Sequence, residues 1–239
     1  MVKRWFIHYF ETGAKSFSEQ GGRRIADEAR QLLKPDGQPF FDHIITYRKR
    51  DLGEDFIRVR EAHFQQARGA GYWVWKSQIV KMTLDQMEMD DELLYCDTGC
   101  QIRGSLQPLF DLLEGQDVVP FHLEDCHNEY KWVKTDLIVK LGITNPEILK
   151  TPQRLSGYFL IRKSPQSLRL VDEYVRVSSD LHMVDDSPSL LRNHPEFIAH
   201  RHDQSVLSLL TKLHQIKSYP DPGWPLETCT TIAAARLVY

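Results

Sequence analysis

The sequence predicts an α/β fold, a sheet of strands with helices over both faces. Three observations predict it. Short apolar and aromatic runs alternate with segments of helical period along most of the 239 residues. Turn-forming clusters such as PDGQP (35–39) separate them. No internal repeat or low-complexity linker breaks the pattern, so a single domain over 1–239 is expected.

The elements follow in order. WFIHYF (5–10) is apolar and aromatic, hence a strand. GGRRIADEARQLL (21–33) places Ile25, Ala29, Leu32 and Leu33 on one helical face. FFDHIITYR (40–48) reads as the second strand, and a polar, helical stretch runs on to Arg68. SQIVKMTLDQM (77–87) aligns Val80, Leu84 and Met87 as a helix. ELLYCD (92–97) is the third strand. LQPLFDLLE (106–114) has apolar residues at i, i+3, i+4 and i+7, again a helix. DVVPFHL (117–123) and SGYFLIRK (156–163) are further strands. SLRLVDEYVRV (167–177) and SVLSLLTKL (205–213) are amphipathic helices. The proline-rich YPDPGWP (219–225) reads as an extended tail laid over the body.

Composition excludes some functions. A net charge of −3 gives no global basic field for nucleic acid. The local basic clusters YRKR (47–50) and GGRR (21–24) read as solvated loops. The four cysteines, Cys96, Cys100, Cys126 and Cys229, form no CxxC pair and no zinc pattern, and are expected to be reduced and mostly buried. No stretch approaches the ~20 apolar residues of a membrane helix. The N-terminal apolar run is too short for a signal peptide. A cytoplasmic protein is the expectation.

Four stretches carry chemistry. In ELLYCDTGC (92–100), Asp97 ends a strand, where open α/β sheets bind ligands. Thr98 and Gly99 leave room beside it. A helix cap or turn carboxylate is the competing reading. In GAGYWVWKS (69–77), each Trp taken singly reads as core. Lys76, directly before a helix, is poorly placed for a core and suits a phosphate or carboxylate. HRHDQSVLSLL (200–210) opens an apolar helix with five polar residues, His200 to Gln204. Asp203 as an N-cap explains one of them, so a functional cluster is preferred. In EYKWVKTD (129–136), ion pairs on a solvated helix face are preferred over an acceptor site.

In this order, GAGYWVWK, DDELLYCDTGC, EYKWVKTD, SGYFLIRKS and HRHDQSVLSLL resemble a family of small GT-A-type glycosyltransferase-like proteins of bacteria and large viruses. The resemblance runs from about Trp5 to Leu213. It implies a GT-A-like single domain with a Rossmann-like mixed sheet flanked by helices. Residues 1–105 would form the nucleotide-binding half, and 106–239 the acceptor half and tail. It implies a glycosyltransferase that moves a sugar from a nucleotide-diphosphate donor to a glycan or polysaccharide hydroxyl.

The resemblance also implies a divalent cation, Mn²⁺ or Mg²⁺, on the diphosphate. Asp97 matches the first carboxylate of the DxD element, whereas Gly99 stands where the second is expected. The implied metal ligands are therefore Asp97 and His202, with Asp203 as an alternative. Lys76, Arg68 and Arg201 are basic substitutes for the metal. The implied donor-binding residues are Asp97, Gly99, Lys76, Trp75, Tyr47, Arg201 and Gln153. His8 to Gly13 and Arg48 are expected near the nucleotide base, and Gln153 to Gly157 near the sugar or acceptor. Asp203 is the implied general base or sugar contact, with His202 beside it.

Two other readings stay open. A sugar nucleotidyltransferase would use a basic loop such as FETGAKSFSEQGGRR with Lys15, Arg23 and Arg24. A non-catalytic nucleotide- or glycan-binding module would explain the absent second carboxylate.

Overall fold

The computed structural model describes residues 1–11 and 18–235. Lys15 and the end of the His8–Gly13 loop, expected near a nucleotide, lie outside the described residues. Five strands form the main sheet: β1 (Arg4–Tyr9), β2 (His43–Tyr47), β3 (Glu92–Cys96), β4 (Val118–Val119) and β5 (Tyr158–Arg162), in the order β2-β1-β3-β5-β4. β1 pairs in parallel with β2 and with β3, and β5 is antiparallel to both β3 and β4. The sheet is mixed, as expected.

Strand side chains alternate between faces, and here both faces are buried. Trp5, Ile7, Tyr9, Leu93, Tyr95, Phe159 and Ile161 enter one core. Phe6, Leu94, Cys96, Tyr158 and Leu160 enter the other. The helices α2 (Val74–Gln86), α3 (Pro165–Ser178) and α4 (His202–Leu213) cover the first face through Ile79, Val171 and Leu209 among others. The helix α1 (Glu19–Gln31) covers the second with Ile25 and Ala29, joined by Leu109 and Phe110.

Several expected elements shift. DVVPFHL is not one strand: Pro120 supplies no N–H, and the ladder changes partner there. β4 pairs with β5, whereas Phe121–His122 pairs with Tyr219–Pro220 of the tail. The 106–114 helix shortens to Gln107–Phe110 followed by a 3₁₀ turn. α2 and α4 each begin three residues earlier than periodicity placed them. Lys76 and Asp203 therefore sit inside the first turns of helices.

The EYKWVKTD stretch is not a solvated face. Glu129, Lys134 and Asp136 are buried. Glu129 meets Lys212 at 2.6 Å and Lys134 meets Asp185 at 2.6 Å. Asp136 accepts from the Leu190 and Leu191 amides and contacts His182. Buried charge persists where it is paired, and helical spacing alone does not reveal partners more than forty residues away. All four cysteines are free; Cys96 and Cys100 are buried, but Cys126 is exposed.

Candidate active site

The parallel strands β1–β3 end at one edge of the sheet, and Asp97 follows β3 there. Antiparallel β5 begins at the same edge, because Cys96 pairs with Tyr158. The Asp97 amide donates to the Gly157 carbonyl at 2.7 Å. The start of α2 arrives through a turn in which Gly69, Ala70, Gly71, Tyr72 and Trp73 all have φ between 50° and 104°. Gly69 is needed there: a Cβ would meet the Trp73 ring at 2.3 Å. The start of α4 supplies the fourth wall.

Lys76 joins these pieces. It is 1 % exposed, and its Nζ lies 2.8 Å from Asp203 Oδ2 and 3.4 Å from Asp97 Oδ1. It also donates to the Ser156 carbonyl and hydroxyl, each at 3.1 Å. Burial works against its charge, but Asp203 and Asp97 outweigh it and raise its pKa. A lysine in the first turn of a helix opposes the helix dipole, so these carboxylates account for its place. Asp203 is no N-cap: Arg201 holds that position, with no side-chain cap. Instead Asp203 Oδ2 also accepts from Ser156 Oγ at 2.9 Å and from the Tyr174 hydroxyl at 3.2 Å.

Asp97 is set differently. Tyr95, two residues earlier on the same strand face, donates its hydroxyl to Asp97 Oδ1. Burial raises the Asp97 pKa and repulsion from Asp203 adds to this, against the pull of Lys76 and Tyr95. No donor among the described residues hydrogen-bonds its Oδ2. The side chain remains 24 % exposed, on a cleft of about 550 Å³.

His202 lines the same cleft at a φ of 51°. Its Nε2 lies 3.0 Å from Asp186 Oδ1, and its ring stacks on Tyr72. The carboxylate fixes the proton on Nε2 and leaves Nδ1 as the lone pair. Burial lowers its pKa, with Asp186 opposing, so the ring is neutral at pH 7. Arg201 lies over the Trp132 ring at 3.6 Å, also on the cleft.

Of the residues expected at the site, Asp97, Gly99, Lys76, Arg201, His202, Asp203 and Arg68 line this cleft. Tyr47, Trp75 and Gln153 do not. The Tyr47 hydroxyl bonds Thr83 at 3.0 Å inside the core. Trp75 is fully buried and stacks on Tyr9. Gln153 is buried behind the wall, where it accepts from Gln204 at 2.8 Å and orients it. His8 is buried against Thr46, and Arg48 lies over Phe10. Arg24, considered for a phosphate loop, donates to the Thr98 and Cys100 carbonyls and braces the Asp97 turn from behind. Sequence reasoning missed Tyr95, Tyr174, Trp132 and Asp186. Only Tyr95 carried a signal, through its i, i+2 spacing to Asp97.

The described side chains offer a divalent cation no three-ligand site at Asp97. Among the described residues, one trio of His, Cys, Asp or Glu brings its ligand atoms within 4.8 Å of one another: the largely exposed Glu124, Cys126 and His127. Neither Asp97 nor His202 belongs to it. Residues 12–17 and 236–239, outside the described structure, contain no His, Cys, Asp or Glu.

The helix-flanked mixed sheet is that of GT-A glycosyltransferases, and the chain has that fold. It is similar to mouse xyloside xylosyltransferase 1 in its apo form, with a TM-score of 0.51 and 14% identity over 92% of this chain and 85% of that one. It is also similar to the apo structure of the bifunctional glycosyltransferase WbbM, with a TM-score of 0.50 and 11% identity over 93% of this chain and 39% of that one. At such identities the likeness shows the fold alone. No protein-family model matches the chain, and no curated protein matches it.

Proposed function

We propose that the protein is a glycosyltransferase, moving a sugar from a nucleotide-diphosphate donor to a hydroxyl of a glycan or polysaccharide in the cytoplasm. The observation that carries this reading is Asp97 at the end of β3, its Oδ2 turned to the cleft and its Oδ1 fixed by Lys76 and Tyr95. In the reaction, the bond from the acceptor oxygen to the anomeric carbon forms as the bond to the diphosphate breaks. The acceptor proton needs a base.

His202 is better placed for that than Asp203. Asp203 Oδ2 is already engaged by Lys76, Ser156 and Tyr174; its role is to hold Lys76 and contact the sugar. His202 is neutral, is oriented by Asp186 and presents Nδ1, the arrangement a general base requires. Asp186 is then a positioning residue.

The test is hydrolysis of a panel of UDP-, GDP-, CDP- and dTDP-sugars, with and without oligosaccharide acceptors. Asp97→Asn should abolish turnover and keep the fold; near-normal turnover would remove Asp97 from the site. Turnover should be flat above pH ~6.5 and decline on acidification as His202 gains its proton. Its pKa is lowered, so the decline falls below that pH. Asp186→Asn should move the decline, and an unmoved profile would assign the proton elsewhere. The absent second carboxylate favours one further reading, a binding module; it predicts nucleotide binding with no donor hydrolysis.

A further inference from the structure

We propose that the cleft holds the diphosphate of its nucleotide on arginine and lysine charge, without a divalent cation. The inference rests on the transferase reading above. A cation on a diphosphate is held by one or two carboxylates together with phosphate oxygens and waters, so at this strand end it would depend on Asp97 and Asp203. Gly99 stands at the spaced position, and no trio of ligating side chains includes Asp97. His202 directs Nε2 to Asp186.

The place of a cation between the acidic groups is already filled. The Lys76 ammonium lies 3.4 Å from Asp97 and 2.8 Å from Asp203, sealed from solvent. An ammonium cannot share that position with a metal ion, because like charges at such range repel strongly in a buried setting. Lys76 thus occupies the place between Asp97 at the strand end and Asp203 on α4 that a metal ion would take. The diphosphate itself meets Arg201 and Arg68, which line the same cleft. Arg201 is laid flat on Trp132, and Arg68 is held by Asp186 at 2.9 Å. The Trp132 ring places Arg201 before a ligand arrives, and guanidinium is the group suited to phosphate oxygens.

Calorimetry of the full chain with UDP, GDP, CDP and dTDP, in EDTA and then in Mn²⁺ or Mg²⁺, tests this. One nucleotide should bind, with Kd values in the two conditions agreeing within about twofold. Arg201→Ala should weaken it about tenfold in EDTA, the loss of a charge-assisted contact. Binding that vanishes in EDTA and returns with Mn²⁺ overturns the inference and keeps the transferase reading. Binding in neither condition overturns both. A second readout is Mn²⁺ titrated without nucleotide into a Cys126→Ser, His127→Ala background that removes the exposed trio. No binding should be seen; Mn²⁺ binding that Asp97→Asn abolishes overturns the inference.

Discussion

Lys76 is a point of high energetic stake. It is one buried ammonium between two carboxylates, of which Asp203 is buried and Asp97 borders the cleft. Removing one partner of a buried ion pair leaves uncompensated charge and costs about 3–5 kcal/mol. Lys76→Met should therefore lower stability by about that amount at pH 7, measured by urea denaturation. The deficit should shrink as the medium approaches pH ~4, where carboxylates protonate; a constant deficit would mean that lost packing dominates. Asp97→Asn is the opposite case. A carboxyl whose folded pKa is raised stabilises the fold at low pH and loses that contribution as pH rises through the folded value. The variant should thus have an unchanged or higher Tm at neutral pH while turnover is lost.

At the level of elements, the turn before α2 decides where Lys76 points. Ala70, Tyr72 and Trp73 take left-handed backbone angles that cost an L-residue roughly 1–2 kcal/mol each. Ala70→Gly should stabilise the protein by up to about 1 kcal/mol, partly offset by the freer unfolded chain. Gly69→Ala should destabilise it by clashing with the Trp73 ring. Thermal unfolding of the two variants checks both signs. This turn also explains what the sequence hid. Apolar periodicity located α2 and α4 but not their first turns, where polar residues face other elements rather than solvent. Lys76 and Asp203 were legible as unusual residues. Their mutual contact was not, since it joins positions 127 apart in the chain through Ser156. Tyr47 and Trp75 were misread because aromatic residues beside a site motif look the same whether they line a cleft or fill a core.

Across the whole molecule, alternation of strand and helix was enough to reveal a sheet covered on both faces, because a 2.0 period and a 3.6 period are distinct over many residues; that the sheet is mixed was implied only by the family resemblance. Strand order was not readable, since no local signal encodes it. Two buried histidines set the response to acid. Burial, the main cause for each, pulls the pKa values of His8 and His200 down to about 3. Held neutral when folded, they stabilise the fold above the ordinary value near 6.5 and lose that contribution as pH falls from there towards 3. Tm should drop through that window, with proton uptake on unfolding; a flat profile would show that these rings charge freely in the native state.

The strand order has a consequence for synthesis. β5 is inserted between β3 and β4, yet it leaves the ribosome after both. Until residue 162 has emerged, the nascent chain carries an open β3 edge and an unpaired Val118–Val119 segment, the kind of edge that recruits chaperones or neighbouring chains. The cleft at the strand ends closes later still, when residue 203 arrives to meet a lysine translated 127 codons before it.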